Sequence, residues 1–229
     1  SQVPHYIQGR VGVKLGNLKA IDGMVHDGLT DAYNEQHMGL CAERCAKEHG
    51  FTREEQDAFA VQSYERSAEA WKSGAFQDEV VPVAVPQRKG EPVVVTEDEE
   101  FKNVKMDKIP TLRPVFDREG SVTAANASTL NDGASALVLM SAEKAEELGL
   151  TPLAAVLSNA DAAQAPEWFT TAPAKAVPLA LERAGLGIES MDLVELNEAF
   201  SVVGLANNKL LGLDDKKVNV HGGAVSLGH

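Results

Sequence analysis

Residues 219–229 read NVHGGAVSLGH and set one imidazole, His229, among small side chains. Glycine lacks Cβ, so backbone and ligand approach closely there and φ > 0 is free. A strand end followed by Gly222-Gly223 is a common way to aim a side chain into a cleft. Histidine titrates near neutral pH and serves as base, acid or hydrogen-bond donor. A lone histidine is more often structural, but so bare a setting moves His229 toward catalysis. His221, without glycine on both sides, reads as structural.

A second candidate is "NEAF", residues 197–200, directly after the apolar run "LVEL". An Asn and a Glu at the end of a buried strand are costly unless partnered. Asn197 could cap the helix that follows, or hold a water or an oxyanion beside His229. The third candidate is "TAANASTLNDGA", residues 123–134, too small and polar for ordinary core.

These groups need a scaffold, and the chain spells one out. "GLCAERCAKEHG" has a helical pattern that Gly50 stops, after the turn chemistry of "DGLTDAYNEQHMG". Thr52 with Glu55 forms a capping box for a helix over 52–74, with Ala60, Tyr64, Ala68 and Trp71 on one face and Gly74 as the stop. Residues before 18 are glycine-punctuated and read as loop. "DEVVPVAVP" and "EPVVVTEDEE" are β-branched runs about the turn "QRKG", and their prolines suit edge strands. "ALVLM", residues 136–140, reads as a strand buried on both faces. Ser141 caps the next helix and Gly149 ends it. From 152 onward strand and helix patterns alternate: "LAAVLSNADAA", "APAKAVPLALERAG", "MDLVELNEAF", "SVVGLANNKLLG" and "VNVHGGAV". That alternation argues for a layered α/β domain.

Composition narrows the function. A formal charge of -13 argues against nucleic acid as partner, since phosphate counterions are displaced by a basic face. Lys102, Lys105, Lys108, Arg113 and Arg118 form the densest basic stretch, either a solvated surface or a dock for a phosphate-bearing ligand. No apolar run approaches the roughly 20 residues of a membrane helix, so no membrane partner is expected. The two cysteines, Cys41 and Cys45, are spaced i, i+4 and read as small helix residues.

Taken together, "NVHGGAVSLGH", "NEAF", "NASTLNDGA" and "HMG" at His37–Gly39 resemble, in order, the signatures of the thiolase family. "HMG" resembles the acetoacetyl-CoA, or biosynthetic, type. The resemblance implies a layered αβαβα fold, incomplete here, with an α+β loop domain over 1–128. Residues 129–151 would return to the N-terminal thiolase domain and 152–229 would open the C-terminal one. It implies Claisen condensation of two acetyl-CoA to acetoacetyl-CoA and CoA, and the reverse thiolysis. A degradative 3-ketoacyl-CoA thiolase and a non-catalytic CoA-binding fragment are the alternatives. By motif, His229 is the catalytic histidine and Asn197 orders an oxyanion-hole water. Met38 meets the acyl group, with Leu29 and His37 beside the pantetheine and Ala199 and Phe200 in the same tunnel. Ser128 and Ala124 touch pantetheine and adenine, and Val104 and Lys108 the nucleotide end. Tyr64, Ala124, Ala125, Ala127 and Val225 match a potassium site. No cofactor is required beyond the CoA thioester substrate, and a homodimer or homotetramer is expected. The family's nucleophilic cysteine would lie upstream and its second cysteine downstream, so the chain reads as truncated at both ends. A cytoplasmic location is expected, with a mitochondrial one open to an upstream leader.

Overall fold

Local chemistry sets the ends of the two longest helices. In the computed structural model, which describes residues 2–10, 12 and 14–229, α1 spans Met38–His49 and α2 spans Arg53–Ser73. The Thr52 hydroxyl accepts from the Glu55 amide, and the Glu55 carboxylate accepts from the Thr52 amide. Two otherwise orphaned N–H groups are thereby satisfied. Gly50 and Gly74 close the two helices in the left-handed region.

The buried face of α2 differs from the expected one. Ala60 and Tyr64 are buried, but Ala68 is exposed and Trp71 is half-buried. Gln56, Asp57, Ser63 and Ser67 are buried instead. This face meets polar loops rather than an apolar sheet, so hydrogen bonds replace hydrophobic contact there.

Five further helices follow: α3 (Glu100–Asn103), α4 (Ala142–Glu147), α5 (Pro173–Ala184), α6 (Ser201–Leu211) and α7 (Ala224–Leu227). Ser141 caps α4, its hydroxyl accepting from the Lys144 amide, as its type suggested. Among the described residues, strands form two antiparallel hairpins. One pairs β3 (Val83–Val85) with β4 (Val93–Val95), as expected. The other pairs β1 (His5–Ile7) with β2 (Ala20–Asp22), where the sequence reads as loop. The glycines that suggested loop sit between these short strands and form their connection. Ser1, Val11 and Val13 of that stretch lie outside the described residues.

Two strand expectations need correction. No strand forms at "ALVLM" among the described residues, where Leu137 is 85% exposed and Leu139 79% exposed. Leu153, Val156 and Leu157 of the next run are bare as well. A strand needs a partner's backbone to complete its hydrogen bonds, and none of the described residues supplies one. The strands expected in "MDLVELNEAF" and "VNVHGGAV" shrink to a parallel bridge, Val194 opposite Val218. Among the described residues no helix is long and apolar enough to cross a membrane.

The main core lies between α1 and α6. Ala42, Cys45, Ala46, Val122, Phe200, Val202, Val203 and Ala206 are buried together there. Gly204 lets α6 approach α2, since a Cβ at that position would overlap the Phe59 ring. A smaller cluster of Ala60, Tyr64 and Val225 joins α2 to α7, with Phe101 and Val104 packed against it.

Candidate active site

His229 is held by both backbone and ring. Its amide donates to the Thr129 carbonyl at 3.0 Å, and its carbonyl accepts from the Asn131 amide at 3.4 Å. Asn131 Nδ2 donates to the Leu227 carbonyl at 3.0 Å. Gly228 has φ 79°, and a Cβ there would run into the Asn131 side chain. Glycine is thus required twice at this position, by conformation and by space. The ring's Nδ1 lies 2.8 Å from Ser128 Oγ. Among the described residues no hydrogen bond engages Nε2, so that nitrogen is the one open to a ligand.

The segment 126–128 runs beside 199–201. The Ser128 amide donates to the Ala199 carbonyl at 3.0 Å, Ala127 is bridged to Phe200, and the Ser201 amide donates to the Asn126 carbonyl at 2.8 Å. Ser128 therefore ties His229 to "NEAF". Asn126, fully buried, holds this turn from within. Its side chain accepts from the Thr123 amide and donates to Asp57 and to the Ser121 carbonyl.

Asn197 is exposed, two residues from Ala199. It is not the helix cap: Phe200 occupies the N-cap of α6, without a side-chain bond. No hydrogen bond joins Asn197 to His229 among the described residues. The buried member of the pair is Glu198, 1% exposed.

Leu29, His37 and Met38 come together. The Met38 amide donates to the Leu29 carbonyl at 2.9 Å. His37 caps α1, its Nδ1 accepting from the Gly39 amide at 3.0 Å. Burial holds its imidazole below the usual histidine range. The ring stacks on Phe116 at 4.7 Å, and Phe116 meets Phe200 edge-on at 6.1 Å. Through Phe116 the Leu29–Met38 group is joined to the Phe200–Ser128–His229 group.

The remaining candidates sit elsewhere. Val104 packs with Phe101 against Tyr64 and Val225. Lys108 is on the surface beside Asp107, as Lys102 is beside Glu97. Ala124 is exposed and Ala125 buried in the Thr123–Ala127 turn. Burial pushes the Tyr64 phenol up to about 12.

Beneath the 219–229 loop lies a buried polar network that the sequence reading overlooked. The Glu198 carboxylate accepts from Ser63 Oγ at 2.7 Å, from Asn219 Nδ2 at 2.6 Å and from the Val225 amide at 3.3 Å. Ser226 Oγ bonds both Ser63, at 3.0 Å, and Ser67, at 2.6 Å. Asn219 has φ 45° and exchanges two 2.8 Å hydrogen bonds with the Leu196 backbone. The available signal was the serine pair at 63 and 67, one turn apart on α2.

Family models for the N-terminal and C-terminal thiolase domains match residues 1–143 and 150–229. The chain belongs to the thiolase family. It is 54% identical over 231 residues to the acetyl-CoA acetyltransferase of Schizosaccharomyces pombe, covering all of this chain and 58% of that protein. It is 56% identical over 230 residues to the mitochondrial acetyl-CoA acetyltransferase of Danio rerio, covering all of this chain and 54% of the relative. A crystal structure of a thiolase from Ascaris suum in complex with coenzyme A matches with a TM-score of 0.93 at 50% identity, over 100% of this chain and 58% of that one. The Bacillus anthracis acetyl-CoA acetyltransferase matches with a TM-score of 0.94 at 41% identity, over 99% of this chain and 57% of that one. The fold is thus a thiolase-like α/β fold, and the chain spans about half the length of the curated relatives it matches.

Cys41 and Cys45 are free and fully buried on α1, and burial raises both thiols. A reactive thiol needs the opposite, an exposed and electropositive setting.

Proposed function

We infer that the protein is an acetyl-CoA acetyltransferase, condensing two acetyl-CoA to acetoacetyl-CoA and CoA and running the reverse thiolysis. His229 is its catalytic base, and Asn197 orders the water of its oxyanion hole. One observation carries this reading: Ser128 holds the His229 ring by Nδ1 and at the same time anchors "NEAF" through Ala199. Nε2 is then the nitrogen aimed outward, and Asn197 lies on the same segment.

The chemistry follows from charge. A cysteine thiolate attacks the acetyl-CoA carbonyl and expels CoA thiolate, leaving an acetyl-enzyme. His229 assists by taking and returning protons. A second acetyl-CoA gives its Cα proton to the thiolate of the family's second cysteine, and its carbanion attacks the acetyl thioester. Acetoacetyl-CoA leaves as the thiolate re-forms. The developing oxyanions need donors already in place, which suits an imidazole N–H and an amide-bound water. Since Cys41 and Cys45 are buried with raised thiols, the nucleophile comes from outside these 229 residues.

Leu29, His37, Met38, Ala199 and Phe200 line the acyl and pantetheine path, with Ser128 and Ala124 further along it. Val104 and Lys108 belong to the nucleotide end. Residues 1–128, 129–151 and 152–229 act as loop domain, returning N-terminal part and C-terminal domain. The shared packing of Tyr64 and Val225 supports a potassium ion held by Tyr64, Val225, Ala124, Ala125 and Ala127. The ion would brace the 124–127 turn against the histidine loop. The bare runs at 137–140 and 153–157 fit a role as strands completed by further thiolase sequence and by a homodimer or homotetramer. The location proposed is cytoplasmic, and the mitochondrial name of the Danio rerio relative is compatible with a mitochondrial one.

The test is a chain-length series of 3-ketoacyl-CoA thiolysis with the full chain, these 229 residues together with the sequence that supplies the nucleophile. The C4 substrate should give the highest kcat/KM. A C8 or longer substrate outrunning C4 contradicts the biosynthetic reading in favour of the degradative one.

A further inference from the structure

We propose that Glu198 is a positioning residue of this site, its buried carboxylate fixing the loop that carries His229. The proposal rests on the catalytic assignment of His229 above. Glu198 receives three hydrogen bonds that join two segments: one from Ser63 on α2, and two from the histidine loop, from Asn219 at its start and from the Val225 amide in α7. Its lone pairs are thus distributed over the groups that must stay in register for His229 to be placed.

The loop is seated on this carboxylate with no slack. A Cβ at Gly223 would overlap the Glu198 carboxyl group, and a Cβ at Gly222 would overlap Ser67 Oγ. The Gly223 amide donates to Ser63 Oγ at 3.2 Å, so the hydroxyl that serves Glu198 also holds the glycine above it. Glycines 222 and 223 therefore let the backbone settle onto a polar socket, in addition to any room they give a ligand.

A carboxylate is an expensive way to fill a core. Well-packed apolar residues often replace buried charges with no loss of stability. Burial is indeed the main influence on this group and raises its proton affinity, with the three donors opposing it. What it supplies beyond packing is direction. It is also the chain neighbour of Asn197, so one side chain fixes the backbone beneath both proposed catalytic groups.

The experiment uses the full chain, with Glu198→Gln, Ser63→Ala, the double variant and His229→Ala. Glutamine keeps the shape but turns an NH2 toward the Val225 N–H or the Asn219 amide, breaking one anchor. Misplacement of a catalytic group by about 1 Å lowers rate on the order of 100-fold. The expected result is therefore a fall in kcat of about 10- to 100-fold for E198Q, with KM for acetoacetyl-CoA within about threefold and the thermal midpoint lowered by the unpaired buried donor, in a protein still fully folded at the assay temperature. S63A should show a smaller fall, and the double variant should be no worse than E198Q, because both act through one network. If E198Q does not fold, the S63A kcat decides: a fall at unchanged midpoint supports the proposal. Wild-type kcat in the folded variants, with or without a lowered midpoint, overturns it. An inactive H229A beside an active E198Q defeats the role of Glu198 alone, whereas an active H229A defeats the site reading beneath it.

Discussion

His229 Nδ1 and Ser128 Oγ lie 2.8 Å apart although 101 residues separate them in the chain. Ser128 also gives its amide to Ala199, so one serine connects the histidine loop, the small-residue turn and "NEAF". The pairing fixes which face of the imidazole meets a ligand, because only Nε2 is left to point outward.

Replacing Ser128 with alanine removes that hold without disturbing the backbone bond to Ala199. A hydrogen bond of this kind contributes about 1 kcal/mol, or several-fold in rate. Steady-state thiolysis by S128A in the full chain should show kcat/KM lowered about 3- to 10-fold. An unchanged kcat/KM means that the serine does not orient the ring.

His37 gives a pH dependence with a definite sign. Its folded-state affinity for protons is lowered by burial, and its Nδ1 accepts from the Gly39 amide only when unprotonated. In the unfolded chain the imidazole titrates near 6.5. As pH falls below that value the unfolded state binds the extra proton, so this contribution to stability is present above about 6.5 and is lost on acidification. Thermal midpoints between pH 8 and 5.5 should fall more steeply for the natural protein than for His37→Asn, which keeps an N-cap but cannot titrate. Parallel slopes would show that His37 carries no such linkage.

Much of this organisation was legible in the sequence because it is local. The Thr52–Glu55 box, the Gly50 and Gly74 stops and the Ser141 cap each need only a few neighbouring residues. The glycine and small polar residues at 123–134 and 219–229 marked two segments that the structure brings together at Ser128 and His229. What stayed hidden depends on distant partners. "ALVLM" has a strand's composition, but pairing is a property of two segments, and no partner pairs with it among the described residues. Ser63 and Ser67 look like surface positions on α2 until Glu198 and Ser226 are brought onto them. Phe116 gave no signal of its own, because its role arises only when His37 and Phe200 flank it.

That aromatic relay can be broken at a glycine. A Cβ at Gly39 would overlap the Phe116 ring, which is itself stacked on His37. Overpacking of this kind costs about 1–3 kcal/mol. Gly39→Ala should lower the denaturation midpoint accordingly and raise KM for acetoacetyl-CoA more than it lowers kcat, since it shifts the Leu29–Met38 group rather than His229. A variant with natural stability and KM would separate Phe116 from the site.

The most direct measurement is thiolysis of acetoacetyl-CoA by the full chain carrying His229→Ala, alongside binding of coenzyme A to the same variant. Loss of a general base lowers rate about 100- to 10,000-fold, so kcat should fall into that range while coenzyme A binding and the thermal midpoint stay close to those of the natural protein. A kcat within twofold of the natural enzyme would contradict the assignment of His229, and with it the site built around Ser128 and "NEAF".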